Sequence, residues 1–397
     1  MKKSYLILAA VAGLFASCSQ EVLVDENVNA VTESPIGFST FAGSQTRGAE
    51  NNEDAVNKWD LENHSTTFDV WAWKYYDGAW VSTAVYNQGV VTYASSAWTA
   101  NPLKFWDKSA EKYYFYAAAP TDNKWALTGT GDAGKLSYAN FTLAGGLDNN
   151  LSKGATTVTT YVQSFKDVSD VDLMIAEDKE VLRASYNKAT PDVVEELFDH
   201  ILSRLNVTVA LKDGGSLETN NATVKVTNFG ITGVNLKNKG SFDEGAALGT
   251  DVLAKGTIKR WNTLSTDGTY DLPGASISTT TLTDAPLYIA QYLIIPQAIT
   301  SEVLDRANGL KDTDANDVGD QAAAHPYFRI DYTINDEPYT AYYNLANAFG
   351  VAADGTLNFC EGWQNTLNIQ LDADVITFDA QVWEWKDKVS HNVVIED

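Results

Sequence analysis

From about residue 35 onward the chain is built of short runs in which apolar and polar positions alternate with a period of two. Phe68-Asp69-Val70-Trp71-Ala72-Trp73, Tyr113 to Ala117, Val171 to Ile175 and Leu205-Asn206-Val207-Thr208-Val209 are such runs in the first half. Thr223 to Val226, Leu287 to Ile295, Tyr327 to Tyr332, Leu367 to Leu371 and Ile376 to Val382 continue the pattern in the second. Side chains alternate between the two faces of a strand, so each run predicts a strand with one face turned to a core. Turn residues separate the runs: Asp77-Gly78, Gly129-Thr130-Gly131, Asp213-Gly214-Gly215, Asp267-Gly268 and Asp354-Gly355. Many short strands with regular turn signals predict a mostly β protein of the antiparallel sandwich type.

Helical signal is sparse. Thr190-Pro191-Asp192-Val193-Val194-Glu195-Glu196-Leu197 offers a cap at Thr190 and proline at the first helical position, which predicts one short helix, and residues 298–307 offer a second. Residues 19–34 are polar and acidic without periodicity, as expected of a tether. The remaining length favours two domains, and the polar stretches between 183 and 220 place their boundary near 213. The expected division is 1–17 signal, 18–34 tether, 35–212 first domain and 213–397 second domain.

The N-terminus changes this picture from a cytoplasmic to an exported protein. Met1-Lys2-Lys3 precedes an apolar run from Tyr5 to Ala16, too short to span a bilayer as a mature helix, which reads as a secretory signal. Leu14-Phe15-Ala16-Ser17-Cys18 matches the pattern in which the cysteine is acylated after cleavage and anchors the chain to a membrane. Ordinary cleavage near Ala16, with Cys18 a chance thiol, is the alternative.

Composition narrows the chemistry. A formal charge of −24 repels phosphate backbones and argues against nucleic acid as a partner. With Cys18 acylated, only Cys360 remains, so no internal disulfide forms, and a buried inert thiol is expected at Cys360. Eleven Trp, 19 Tyr and 15 Phe suit strands and sheet cores. The histidines His64, His200, His325 and His391 are scattered singly, and there is no CxxC, GxSxG, Walker loop or GxGxxG after a strand. No metal, cofactor or enzymatic activity is expected, although paired carboxylates of a glycosidase have no sequence spacing to betray them. The acidic run Asp312 to Asp320 begins like a calcium loop but carries Asp317 where glycine is needed and Ala323 where a bidentate glutamate is needed, so it reads as a solvated loop. Trp71, Trp73 and Trp80 form either part of a core or a sugar-stacking platform.

Several phrases, in order along the chain, resemble the fimbrillin family, the pilin-like lipoproteins of type V pili. They are Pro35-Ile36-Gly37-Phe38 with Thr46-Arg47-Gly48, Phe105-Trp106 leading to Tyr114-Phe115-Tyr116-Ala117-Ala118-Ala119-Pro120, and Asp172-Leu173-Met174-Ile175-Ala176. Phe198-Asp199-His200-Ile201-Leu202-Ser203-Arg204-Leu205 and the ending Ile376-Thr377-Phe378-Asp379-Ala380-Gln381-Val382 with Trp383 and Trp385 complete the set. The resemblance implies an all-β chain of two tandem transthyretin-like Greek-key β-sandwich domains, export as an outer-membrane lipoprotein to the cell surface and fimbrium, and proteolysis after an arginine. Arg47, followed by Gly48 and a small, polar stretch, matches that position. A solvent-facing arginine in a loop is the plain alternative.

On this reading the leader strand around Pro35 to Phe41 completes a sheet with Ile36, Phe38 and Phe41, and its loss opens a groove that another chain's strand fills. The expected donor is 376–397, with Ile376, Phe378, Ala380 and Val382 on one face and Val389, Val393 and Ile395 on another. Groove and tail are different surfaces, so contacts run head to tail and build an open fibre of pilus subunits serving adhesion. The bland alternative for 376–395 is a hairpin that finishes the chain's own second domain. The rival function is a monomeric surface lipoprotein that binds glycans through exposed aromatics.

Overall fold

The structure is a computed structural model and describes residues 34–42, 67–143, 172–232, 236–246, 260–265, 272–276, 281–300, 326–351, 355–373 and 376–384. The first strands are β1 (Phe38–Ala42), β2 (Thr67–Tyr76), β3 (Ala79–Trp80), β4 (Tyr86–Ala94), β5 (Ala97–Asn101), β6 (Lys112–Ala119), β7 (Trp125–Thr128), β8 (Lys135–Thr142), β9 (Met174–Ala176), β10 (Lys179–Leu182) and β11 (Val194–His200). There follow β12 (Ser203–Leu211), β13 (Val224–Thr232), β14 (Lys239–Asp243), β15 (Trp261–Ser265), β16 (Leu272–Ser276), β17 (Leu287–Ile294), β18 (Gln297–Thr300), β19 (Tyr327–Ile334), β20 (Glu337–Asn344), β21 (Thr356–Phe359), β22 (Trp363–Leu371) and β23 (Ile376–Glu384). Helix among the described residues is limited to single turns: α1 (Arg183–Tyr186), α2 (Ser216–Thr219), α3 (Leu345–Ala348) and a 3-10 turn. The chain is nearly all β.

The first sheet closes on itself. Its pairings run β6–β9–β11–β1–β5–β4–β2, and β2 returns to β6 through the ladder from Asp69↔Ala118 to Tyr75↔Lys112. Ile36, Phe38, Phe68, Val70, Tyr86, Val91, Phe115, Val194 and Phe198 fill the interior of this ring. On β2 the alternation serves two cores at once: Phe68, Val70 and Ala72 belong to the ring interior, and Trp71 and Trp73 to a second core on the other face. That second core meets the sheet β15-β14-β8-β7 and continues into two four-stranded sheets, β17-β12-β22-β23 and β16-β13-β19-β20. Phe229 on β13 lies 6.5 Å from Tyr292 on β17, joining those two sheets. β12 is buried along its whole length, as a central strand is when both of its faces are covered.

Three sequence expectations meet the structure here. The segment expected to start a helix at Thr190 is instead β11, because Val194, Glu196, Phe198 and His200 are buried in strict alternation and the backbone is claimed by β1 on one side and β9 on the other. Tertiary pairing overrides the weak cap-and-proline signal. The candidate helix at 298–307 falls on β18 as far as Thr300, paired with β21, and the rest of it lies outside the described residues. The boundary expected near 213 falls just after β12, which pairs with β17 and β22; pairing changes over between His200 and Ser203. The sheet of β7, β8, β14 and β15 takes strands from both sides of that changeover.

Turn chemistry follows the sequence where it was visible. Asp77 and Gly78 take φ of 51° and 75° between β2 and β3, the double left-handed conformation of a two-residue hairpin turn. Asn335 and Asp336 adopt the same conformation between β19 and β20 without any glycine, which is why the sequence did not advertise that hairpin.

Candidate functional site: the seat of the N-terminal strand

Residues 34–42 enter the ring in two stages. Ile36 N–H donates to Lys104 O at 2.9 Å, Trp106 N–H donates to Ser34 O at 3.0 Å, and Pro35 faces Phe105 in an isolated antiparallel bridge. The strand then changes partner: Val194 N–H donates to Gly37 O at 2.8 Å, and β1 runs parallel to β11 from Phe38↔Val194 to Ala42↔Phe198. On its other side a single pairing, Phe38↔Trp98, joins β1 to β5. β1 is therefore laddered to β11 along its length, whereas toward β5 it has one pairing, supplemented upstream by the bonds of residues 34–36 to residues 104–106.

Packing is denser than the hydrogen bonding. Ile36, Phe38 and Thr40 are 2%, 5% and 6% exposed, the inward set of an extended strand. The Phe38 ring meets Phe68 at 5.9 Å, Tyr86 at 5.9 Å and Phe115 at 6.1 Å, all edge to face. Such pairs contribute about 0.5–1.5 kcal/mol each beyond their burial. Phe68 in turn packs on Phe198 at 5.3 Å and on Trp98 at 5.1 Å. On the outer face, Gly37 sits against Val193, whose Cγ1 would lie 3.2 Å from a Cβ at that position.

One polar side chain interrupts the apolar seat. Glu196 pairs in register with Thr40, is fully buried between Val194 and Phe198 on β11, and neither of its carboxyl oxygens has a hydrogen-bond partner among the described residues. Burial pushes its carboxyl up to about 8, opposed by nearby Lys179 and reinforced by Asp178. Asp178 is itself pushed up to about 6 by burial and by Glu244.

The sequence-derived residues fall as follows. Ile36 and Phe38 sit inside the ring, Thr40 is the third inward position, and Phe41 is the register partner of Leu197. Period two already assigns the third place to residue 40, a signal available from spacing alone. Ile376, Phe378, Ala380 and Val382 lie on β23, paired with β22 of the same chain from Leu371↔Ile376 to Trp363↔Glu384. That is the hairpin arrangement, with β23 at the end of its sheet. Cys18, Arg47, Gly48, Val389, Val393 and Ile395 lie outside the described residues.

Other candidate chemistry is structural. Trp71 and Trp73 are buried at 3% and 6% and belong to the core, while Trp80 packs against Tyr75 and Tyr114, and its indole N–H donates to Asp132 at 3.0 Å. Cys360 is buried, and burial pushes its thiol up to about 11. Among the described residues no cluster of three or more His, Cys, Asp or Glu side chains is placed to hold a metal ion, and no helix is long and apolar enough to cross a membrane.

Among the described residues the protein is an all-β chain in which β1 is seated between β11 and β5 of a closed sheet. The chain belongs to the fimbrillin-like family, whose sequence pattern it matches over residues 46–385. It is 24% identical over 276 residues to the fimbrium subunit Fim1C of Phocaeicola vulgatus, a match covering 68% of this chain and 64% of that relative, so it spans just under two thirds of the relative's length. Among solved structures, a fimbrial protein from Bacteroides vulgatus aligns over 89% of this chain and 99% of its own at 15% identity and TM-score 0.45. A fimbrial assembly protein from Parabacteroides distasonis aligns over 91% and 98% at 11% identity and TM-score 0.32. Family membership rests on the sequence match.

Proposed function

We propose that this chain is a fimbrial subunit: exported as a lipoprotein through Cys18, held at the outer membrane and cell surface, cleaved after Arg47 and joined to other pilus subunits by donor-strand exchange in the service of adhesion. The observation that carries this reading is the seat of β1. Ile36, Phe38 and Thr40 are buried, yet β1 meets β5 through the single pairing Phe38↔Trp98, and Arg47 follows Ala42 by five positions. Cleavage after Arg47 would free this strand and uncover Phe68, Tyr86 and Phe115. Ile36 and Phe38 alone contribute about 3–6 kcal/mol of apolar burial, which an incoming strand would have to replace.

The donor is the C-terminal region. Since β23 is fully laddered to β22, the part best placed to serve a neighbour is the segment after Glu384 that carries Val389, Val393 and Ile395. Use of Ile376, Phe378, Ala380 and Val382 would first require breaking nine pairings. The two halves, changing over between His200 and Ser203, serve as the tandem sandwich domains. The glycan-binding alternative keeps only Trp80 of its three tryptophans near the surface.

The test is limited trypsin digestion of lipid-free protein, followed by N-terminal sequencing and a non-boiled gel. A new N-terminus at Gly48 accompanied by ladders of multimers is expected. A cleanly cut protein that stays monomeric at high concentration overturns the reading.

A further inference from the structure

The unpartnered carboxyl in the β1 seat carries a consequence for how a strand is held there. Glu196 lies on the inward face of β11, in register with Thr40, flanked by Val194 and Phe198 of the ring core, and is 0% exposed. A carboxylate in such a place costs several kcal/mol unless it is paired, so the buried group is held as the neutral acid. We propose that Glu196 couples occupancy of this seat to protonation: a strand lying beside β11 is held with the Glu196 carboxyl neutral, and its departure opens the carboxyl to water and lets it ionise.

The surroundings contain little that would satisfy the charge in another way. β1 from Phe38 to Ala42, β5 and β9 bring no titratable side chain. The link between β9 and β10 brings Glu177 and Asp178, and β10 brings Lys179 and Glu180, the latter paired with Lys112 at 2.6 Å. β11 itself carries Glu195, Asp199 and His200, and the His200 ring lies 2.6 Å from Asp172. Lys179 is the cation that acts on Glu196, and the negative Asp178 offsets it.

The direction of the linkage follows. With the strand seated the carboxyl titrates near 8, and once exposed it returns toward the ordinary 4.5. The seated state therefore binds the extra proton. Its advantage is complete below about 4.5, declines by up to tenfold per pH unit above that, and is gone above about 8. This inference rests on the strand-exchange reading for its biological use, since leader and donor would both occupy this seat, but the physical coupling is measurable without any polymer.

The experiment uses the uncut mature chain. Amide hydrogen exchange protection is measured for Ser39 to Ala42 from pH 5.5 to 8.5, with β12 as the internal reference. Protection in β1 is expected to fall by roughly tenfold per unit up to about pH 8 relative to β12, and Glu196→Gln is expected to flatten the profile at the low-pH level. An Asp178→Asn variant should keep the slope above pH 7. A flat wild-type profile, or the same slope in Glu196→Gln, overturns the proposal. If Glu196→Gln fails to fold, the wild-type profile of β1 against β12 still decides. Absence of ladders after trypsin would overturn strand exchange while leaving this measurement intact, so the two failures are distinguishable.

Discussion

At the scale of single residues, the seat is dominated by Phe38. Its three edge-to-face contacts and near-complete burial predict that Phe38→Ala lowers the stability of the uncut chain by about 3–5 kcal/mol in urea unfolding, as large aromatic truncations do. In protein beginning at Gly48 the position is gone, so the same unfolding curve should be reached from either parent after cleavage. Ile36 and Phe38 were legible because alternating apolar residues near a turn signal announce an inward face. Glu196 was not legible: a glutamate in a run with a helical cap looks solvated, and its burial arises only when β1, over 150 residues earlier in the chain, lies down beside it. Thr40 went unnoticed because hydroxyl residues do not score as core, although the spacing pointed to it.

At the scale of elements, the alternating runs of the sequence fall on β2, β6, β9, β12, β13, β17, β19, β22 and β23, whereas β11 was hidden behind a cap-and-proline phrase. What the sequence concealed was pairing. Nothing local says that β1 binds β11 in parallel, or that residues 376–384 close their own sheet instead of leaving it. This sets the element-level prediction. Deleting residues 385–397 leaves β22–β23 whole, so thermal stability of the monomer should change by less than about 1 kcal/mol. Ladder formation after trypsin should nevertheless be lost if the donor lies beyond Glu384. Persistence of ladders in the deletion would return the donor role to β23 itself.

At the scale of the whole molecule, the corner where pairing changes over is locked by a buried ion pair. Arg260 Nε donates to Glu361 Oε2 at 2.9 Å, its Nη2 donates to Oε1, and the guanidinium lies over the Phe242 ring; beside it Trp261 Nε1–H donates to Ile201 O at 2.8 Å. These contacts bind β15 to the β11–β12 turn and to the turn before β22. Glu361→Gln removes the hydrogen-bonded counter-charge of a buried guanidinium, leaving Glu244 as the acid acting on it, and should cost about 3–5 kcal/mol in urea unfolding, whereas Arg260→Met with Glu361→Leu should recover most of that loss. Equal loss in the single and double variants would mean the pair acts through shape and not charge. The fold class and the family were legible from strand pattern and phrase order; this corner was not, because its partners are 101 residues apart.

The position of β12 between β17 and β22 has a further consequence, for how the protein comes into being. Its parallel neighbour begins 160 residues downstream, at Arg204↔Gln364. A chain emerging N-terminus first cannot assemble this sheet until Leu371 has appeared, and β1 likewise waits for β11. Contacts so distant along the chain make folding slow and late. Nascent chains would thus spend most of their emergence with bare apolar edges, and whatever shields those edges in transit is as necessary to the finished protein as any contact within it.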